Sequence, residues 1–340
     1  MNENPLFDSV LPPPWSVIEF TFSNLDTDAE LVVMCNHVRF VIHATETAFA
    51  SSPQLREKYL FFLHVAENYE VDGYTVDDFY DWALEPLLPV LCEQTPELKV
   101  GAVTLHDFLY APILEYSLEA ESDELVLRPR EEQAETRFMF GVSLPDSSCQ
   151  LWPAYLPSEI QLDEEAAYDS TPRRVILPDS TAAFFKLMGR GEKRTLEKEL
   201  LSYERIRTSP LPTSVRISRL LGLVRDESST VFGLLLTHID CENQTLTCAI
   251  ESGAPESLRR QWVAEMKQIV HCLHRDGLVW GDAKPDNVLI DGNQNAWIVD
   301  FGGGYSEGWV PKDLAGTVNG DLVALAKMVD YVERGSVVPM

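Results

Sequence analysis

The spacing of apolar and polar positions changes several times along this chain, and each change predicts an element. Between residues 16 and 44, SVIEFTF and ELVVMCNHVRFVIHA are rich in β-branched and aromatic residues, the pattern of paired strands. At residue 53 the apolar period lengthens. PQLREKYLFFLHVAENYE (53–70) places Leu55, Tyr59, Phe62, Leu63 and Ala66 on one helical stripe. TVDDFYDWALEPLLPVL (75–91) predicts a second helix, with Thr75 as N-cap and with Asp77 and Asp78 in a first turn that favours acids. Pro86 and Pro89 are expected to kink or end it. LEYSLEAESDELVLRP (114–129) reads as a hairpin, and the first fifteen residues, with prolines 12–14, as an extended arm.

A second series of patterns begins near residue 173. RRVILPDSTAAFFKLM holds two β-rich runs around a Pro-Asp-Ser turn. GEKRTLEKELLSYERIR (191–207) is helical, with Leu196, Leu200, Tyr203 and Ile206 along one face. TVFGLLLTHID (230–240) predicts a strand. A long amphipathic helix over about 257–275 comes next, burying Leu258, Trp262, Met266, Ile269, Val270 and Leu273.

Charge separates the two series. The 340 residues carry a net charge of −27, of which residues 1–165 hold −24 and residues 166–340 only −3. A field this negative repels phosphate backbones and anionic membranes, which excludes nucleic acid and membrane as expected partners. The acidic half is either a solvated surface or a face that docks a basic protein partner or the chain's own second half. The six cysteines are scattered without metal-ligand spacing, as expected of reduced thiols in a cytoplasmic or nuclear protein. No apolar run is long enough to span a bilayer, and the N-terminus lacks the pattern of a secretory signal. Histidines 37, 43, 64 and 106 lie in apolar-patterned runs and read as packed or surface residues.

Candidate chemistry concentrates in HCLHRDGLVWGDAKPDNVLID (271–291) and in the dozen residues C-terminal to it. Asp282, Lys284 and Asn287 form D-x-K-x-x-N. Thirteen residues after Asn287, beyond the apolar run Ala296–Val299, comes Asp300-Phe301-Gly302. Transfer of a γ-phosphoryl group needs a carboxylate for the acceptor hydroxyl, metal ligands that bridge phosphates, and a cation against the developing charge. Asp282, then Asn287 with Asp300, then Lys284 supply these in order.

At these residues the chain resembles the protein-kinase superfamily, specifically over about 270–304 and more loosely over 173–270 and 305–332. It is similar overall to a group of uncharacterised fungal kinase-like proteins with an acidic N-terminal region. The resemblance implies an α+β, bilobal protein-kinase-like fold at 166–340, with a small lobe over about 166–240 and a truncated large lobe over about 241–340. An acidic mixed α/β region, 1–165, would pack against it. Family spacing puts the catalytic Asp five residues before the Asn, which Asp282 satisfies; Asp276 of the literal His274-Arg275-Asp276 stands eleven before it. The implied roles are Asp282 as base and Lys284 as cation, with Asn287 and Asp300 as Mg²⁺ ligands. Lys186 would hold the α- and β-phosphates of ATP and pair with a helix glutamate, Glu199 in preference to Glu197. Leu236 and His238 would lie in the adenine-binding hinge, with Leu289 and Val299 lining the site. Asp321 resembles the family's buried Asp beneath the catalytic loop, and His274 is expected to pack at a helix end.

The chain also departs from the family. No G-x-G-x-x-G precedes Lys186, and LPDST (177–181) stands at the corresponding turn. Trp280 and Gly281 replace the His and Arg before the catalytic Asp, and no A-P-E comes after the Asp-Phe-Gly. The expected function is an ATP- and Mg²⁺-dependent phosphotransferase of the Ser/Thr protein-kinase type. Two alternatives stay open: a small-molecule kinase of the same fold, and a pseudokinase acting as a nucleotide-binding or interaction scaffold.

Overall fold

β-Branched runs bounded by tight turns build the first sheet. The structure, a computed structural model, describes residues 13–23, 27–93, 102–130, 140–163, 171–241, 244–303 and 306–335. The predicted extended arm lies almost entirely outside these residues, and Trp15 already belongs to a strand. Two compact units are present, one of Met1–Phe138 with Ser158–Pro172 and one of Met139–Pro157 with Arg173–Met340. The division thus crosses the chain three times instead of once near residue 165.

In the first unit, β1 (Trp15–Phe22), β2 (Ala29–Cys35), β3 (Val38–Ala44), β4 (Ile113–Glu121) and β5 (Glu124–Pro129) form a five-stranded sheet in that order. Neighbours run antiparallel except β3 and β4, which are parallel from Arg39↔Ile113 to Ala44↔Leu118. Both tight hairpins turn on two residues with positive φ, Asn36 and His37 in one, Ser122 and Asp123 in the other. This geometry matches the strand twist, and Asn and Asp tolerate it. The parallel pair requires a crossover, and α1 (Pro53–Asn68) and α2 (Val76–Leu84) lie on it. Asp78 Oδ2 accepts the Thr75 backbone N–H at 2.7 Å, so Thr75 caps α2 as expected. The predicted single helix over 75–91 is divided: a 3₁₀ turn at Glu85–Leu87 succeeds α2, since Pro86 cannot donate to the helix ladder. Phe49, Tyr59, Phe62, Phe79 and Trp82 pack with Leu31, Val33, Phe40 and Ile42 as the core.

In the second unit, β6 (Arg174–Ile176), β7 (Ala182–Leu187), β8 (Leu220–Arg225) and β9 (Thr230–Thr237) are antiparallel in the order β6-β7-β9-β8. The charged helix α3 (Lys193–Thr208) connects β7 to β8. After β9 come α4 (Leu246–Glu251), α5 (Glu256–Arg275), the hairpin β10 (Val288–Ile290) and β11 (Ala296–Ile298), and α6 (Val318–Arg334). One continuous core joins α3, the sheet, α5, the hairpin and α6. Arg216, before β8, ties the sheet side of this core to α5 through Glu265 at 2.7 Å. The unit is α+β, and no helix among the described residues is long and apolar enough to cross a membrane.

Candidate active site

Strand alternation fixes where Lys186 lies. Ala183 and Phe185 of β7 are buried on one face of the strand, and Lys186 projects to the other, the face whose Phe184 packs against the core that includes α3. The neighbouring strand can approach because it carries Gly233, where a β-carbon would fall 2.5 Å from the Lys186 carbonyl oxygen. Lys186 Nζ lies 2.9 Å from Glu199 Oε2, 3.1 Å from Glu199 Oε1 and 3.1 Å from Asp300 Oδ1.

Helix phase brings Glu199 to it. Leu196, Leu200, Tyr203 and Ile206 bury one face of α3, and Glu199, on the same face, is 0% exposed. Glu197 remains partly exposed on another face. Complete burial of a carboxylate is costly unless it is paired. Burial raises the Glu199 pKa from its usual value, and Lys186 pulls against that shift. Burial likewise works against the Lys186 charge, but the two carboxylates outweigh it and its pKa is raised. The lysine therefore stays cationic through neutral pH.

The β10–β11 hairpin sets Asn287 beside Asp300. Val288 pairs with Ile298, and just beyond that pair the Val299 N–H donates to the Asn287 carbonyl at 3.0 Å. Asp300 has φ +61°, the left-handed region that non-glycine residues enter at a cost. Its Oδ1 accepts from Lys186 and from the Gly302 N–H, whereas its Oδ2 has no partner among the described residues. Phe301 is buried edge-on against Tyr203, one turn beyond Glu199, which locks the Asp300 segment to α3.

Asp282 is nearly enclosed by its own loop. Asn287 Nδ2 donates to Asp282 Oδ2 and to its backbone carbonyl, each at 2.9 Å, and Lys284 Nζ lies 3.3 Å from the same Oδ2. The opposite oxygen, Oδ1, accepts the Ser306 hydroxyl at 2.5 Å. Asp321, buried in the first turn of α6, holds the loop from beneath. Its Oδ2 accepts the Trp280 N–H at 2.8 Å and its Oδ1 the Gly281 N–H at 2.9 Å. Gly281 has φ +88°, which explains a glycine at the position where the kinase pattern carries Arg. Trp280 is buried, and its Nε1 donates to the Val299 carbonyl at 2.9 Å, joining the Asp282 loop to the Asp300 strand.

Lys186, Glu199, Asp282, Lys284, Asn287 and Asp300 thus fall into two networks bridged by the hairpin. His274, expected only to pack, also bonds Asp321 Oδ2 at 2.8 Å. Asp276 caps the end of α5 and pairs with Arg275, outside both networks. Leu236 is buried on β9 opposite Phe184, His238 lies just past the end of that strand, and Leu289 and Val299 lie half-buried at the hairpin. Among the described residues, no polar contact ties Leu236 or Leu289 to the ionic cluster. LPDST closes the β6–β7 hairpin tightly: Leu177 N–H donates to Thr181 at 2.9 Å, and Ser180 takes φ +69°. Sequence reasoning missed Ser306, since a serine in a glycine-rich run carries no local signal of a distant partner.

The remaining oxygens suit a hard cation. Asn287 directs its amide nitrogen to Asp282, leaving its carbonyl oxygen, together with Asp300 Oδ2, as donors. Mg²⁺ is held by few protein oxygens alongside substrate phosphates. Among the described residues, no group of three or more His, Cys, Asp or Glu could hold a metal by itself.

No family model matches the chain. A stretch of 58 residues is 43% identical to the human Serine/threonine-protein kinase MRCK gamma, covering 17% of this chain and 4% of that protein. A stretch of 86 residues is 35% identical to Serine/threonine-protein kinase mrck-1 of Caenorhabditis elegans, covering 25% and 5%. Another of 110 residues is 28% identical to Serine/threonine-protein kinase PKH2 of Saccharomyces cerevisiae, covering 32% and 10%. The chain therefore spans a tenth or less of these relatives, and what it shares with Ser/Thr protein kinases is a partial, kinase-like similarity of short coverage.

Proposed function

We propose that the second unit is an ATP- and Mg²⁺-dependent phosphotransferase that moves the γ-phosphoryl group to a hydroxyl acceptor, of the Ser/Thr protein-kinase type. The observation that carries this reading is the buried Lys186–Glu199–Asp300 cluster next to the Asp282–Asn287–Lys284 network. Structural ion pairs do not need an enclosed carboxylate at Asp282, and perturbed charges gathered in this way mark functional sites.

Lys186, fixed by Glu199, would bind the α- and β-phosphates and orient the nucleotide. Asn287 and Asp300 would hold Mg²⁺, which when bound neutralises charge on the phosphates. Asp282 would accept the proton of the attacking hydroxyl, and Lys284 would stabilise charge on the transferred group. Asp321, Trp280 and Gly281 act as supports, keeping the Asp282 loop in position before substrate arrives. The described segment 306–317 contains nothing longer than the 3₁₀ turn Lys312–Leu314. That limited surface favours, as a second reading, a small-molecule acceptor.

Transfer from γ-labelled ATP with Mg²⁺ to a protein panel and to a metabolite panel tests both readings. Asp282→Asn is expected to lower transfer by roughly 10²- to 10⁴-fold, the usual contribution of a general base, while ATP still raises the melting temperature. Absence of both binding and Asp282-dependent transfer would remove the enzyme reading.

A further inference from the structure

The first unit displays aromatic rings that its own core leaves outside. α1 ends at Asn68, and the chain then forms a small hairpin in which Glu70–Val71 pairs with Tyr74–Thr75, Val71 opposite Tyr74. Asp72 and Gly73 at its tip both take positive φ, the two-residue turn that suits a tight hairpin. Tyr69, which leads into this hairpin, is 87% exposed, the most exposed large apolar side chain among the described residues, and Tyr74 is 47% exposed. Burial does not account for a tyrosine at 69, and its φ of +66° belongs to a region that favours glycine. Tyr74 is held in place. Its ring stands edge-on to Phe61 at 5.4 Å and to Phe62 at 6.3 Å, and Phe62 is buried beside Phe79 and Trp82. The exposed face is therefore the outer end of an aromatic stack rooted in the core.

The surroundings choose the occupant. From Tyr59 to Glu85 the sequence holds seven acidic residues and no Lys or Arg. Four of the seven, Glu70, Asp72, Asp77 and Asp81, are exposed and pair with no cation among the described residues. The same aromatic stack already receives a cation at its inner end. The Lys58 ammonium lies over the Trp82 ring at 5.4 Å and over the Phe62 ring at 5.8 Å. An aromatic face attracts a cation through its quadrupole, and a neighbouring carboxylate adds a charge-assisted hydrogen bond. Arginine does both at once, its plane on a ring and its N–H fork on a carboxylate, whereas the lysine ammonium acts as a point charge. We propose that the Tyr69–Tyr74 face of the first unit docks an arginine-rich segment of a partner protein. One guanidinium stacks on the Tyr69 ring and bonds the Glu70 or Asp72 carboxylate, while Asp77 and Asp81 draw the flanking cations. This face belongs to the first unit alone, so it stands whether or not the second unit transfers phosphate.

The test titrates the full chain into a fluorescent peptide of alternating arginine and serine and reads anisotropy. Saturable one-to-one binding is expected, with a peptide of lysine and serine bound more weakly. Tyr69→Ala is expected to weaken binding of the arginine peptide roughly two- to fivefold, the scale of one exposed cation–π contact. Tyr69→Phe, which keeps the ring, is expected to restore it. The melting temperature of Tyr69→Ala should match wild type, because a ring this exposed supports no core. Glu70→Gln with Asp72→Asn is expected to weaken binding roughly 2- to 30-fold, the scale of two exposed ion pairs. Asp123→Asn with Glu124→Gln removes the same charge from another exposed hairpin of the unit and is expected to leave binding near wild type. If that pair costs as much, the peptide follows only the unit's overall field and the proposal falls. Absence of binding, binding indifferent to Tyr69, or equal affinity for the lysine peptide also overturns it.

Discussion

The two units bury polar side chains to different ends. In the first, the buried charge among the described residues is Arg39, whose guanidinium bonds the carbonyls of Phe108 and Leu109 and lies over the Phe108 ring; buried Ser52 caps α1. These groups satisfy the backbone. In the second, Glu199, Asp282, Asn287, Ser306 and Asp321 are buried. Glu199 meets a cation, Asp321 holds the loop that carries Asp282, and Asp282, Asn287 and Ser306 meet one another. Burial of charge alone therefore does not mark a site. Arg39, bonded to peptide carbonyls and acted on by the Glu19 carboxylate, serves the fold, whereas buried ions from separate segments that converge on one another mark a candidate site. The acidic surplus of the first half adds nothing to such convergence.

The contrast can be tested by substitution. Asp321→Ala is expected to have the largest effect, since it leaves His274 and two backbone N–H groups without their acceptor. A loss of roughly 3–5 kcal/mol in denaturant unfolding of the second unit is expected, with phosphoryl transfer falling alongside. A small loss would mean that the Asp282 loop holds itself.

Glu199→Gln should act on the nucleotide more than on the fold. Loss of a charge-assisted partner for Lys186 is expected to weaken ATP binding roughly 10- to 100-fold, read by calorimetry. It also tests the pH sign. The folded-state pKa of Glu199 is raised, so its contribution is fully present below the unfolded value near 4.5 and is lost as pH rises through the folded value. Wild-type stability should decline across that window, and the Gln variant should lack this component. Lys186 is also raised, so its pairing energy persists at least up to its ordinary value of 10.5 and is lost only above that.

Arg39→Met, in the first unit, is expected to cost roughly 1–3 kcal/mol by stranding the Phe108 and Leu109 carbonyls, with ATP affinity unchanged. A change in affinity would break the distinction between the units. Asp276→Asn should do least, within about twofold of wild type in transfer rate, because Asp276 only caps α5 beside Arg275.

Local chemistry explains why so much of the site was legible in the sequence. Asp282 and Asn287 are five residues apart, and a single turn brings them into contact. Glu199 could be preferred over Glu197 because a helix of 3.6 residues per turn places only one of them on the Leu200–Tyr203 face. The hairpin at 114–129 and the helices at 53–68 and 193–208 could be read from period and turn residues. Spacing could not convey anything made across long sequence separations. Ser306 lies 24 residues from Asp282, and His274 lies 47 from Asp321. The break at Pro86 was legible from the residue itself, whereas the divided course of the chain between units was a matter of packing.

By itself, the order of residues determined which side chains could do chemistry and which faces of each element had to be buried, since periodicity and spacing act within a few turns of chain. Tertiary structure brought Lys186, Glu199 and Asp300 together from strand, helix and hairpin; the resemblance had implied the pairing of Lys186 with Glu199, but spacing could not supply it. It also supplied the bonds by which Asp321, expected beneath the loop, holds Trp280 and Gly281, and it decided that Ser306 closes over Asp282. Those contacts cost chain entropy that no local pattern encodes, and they form because one continuous core holds all of their segments together.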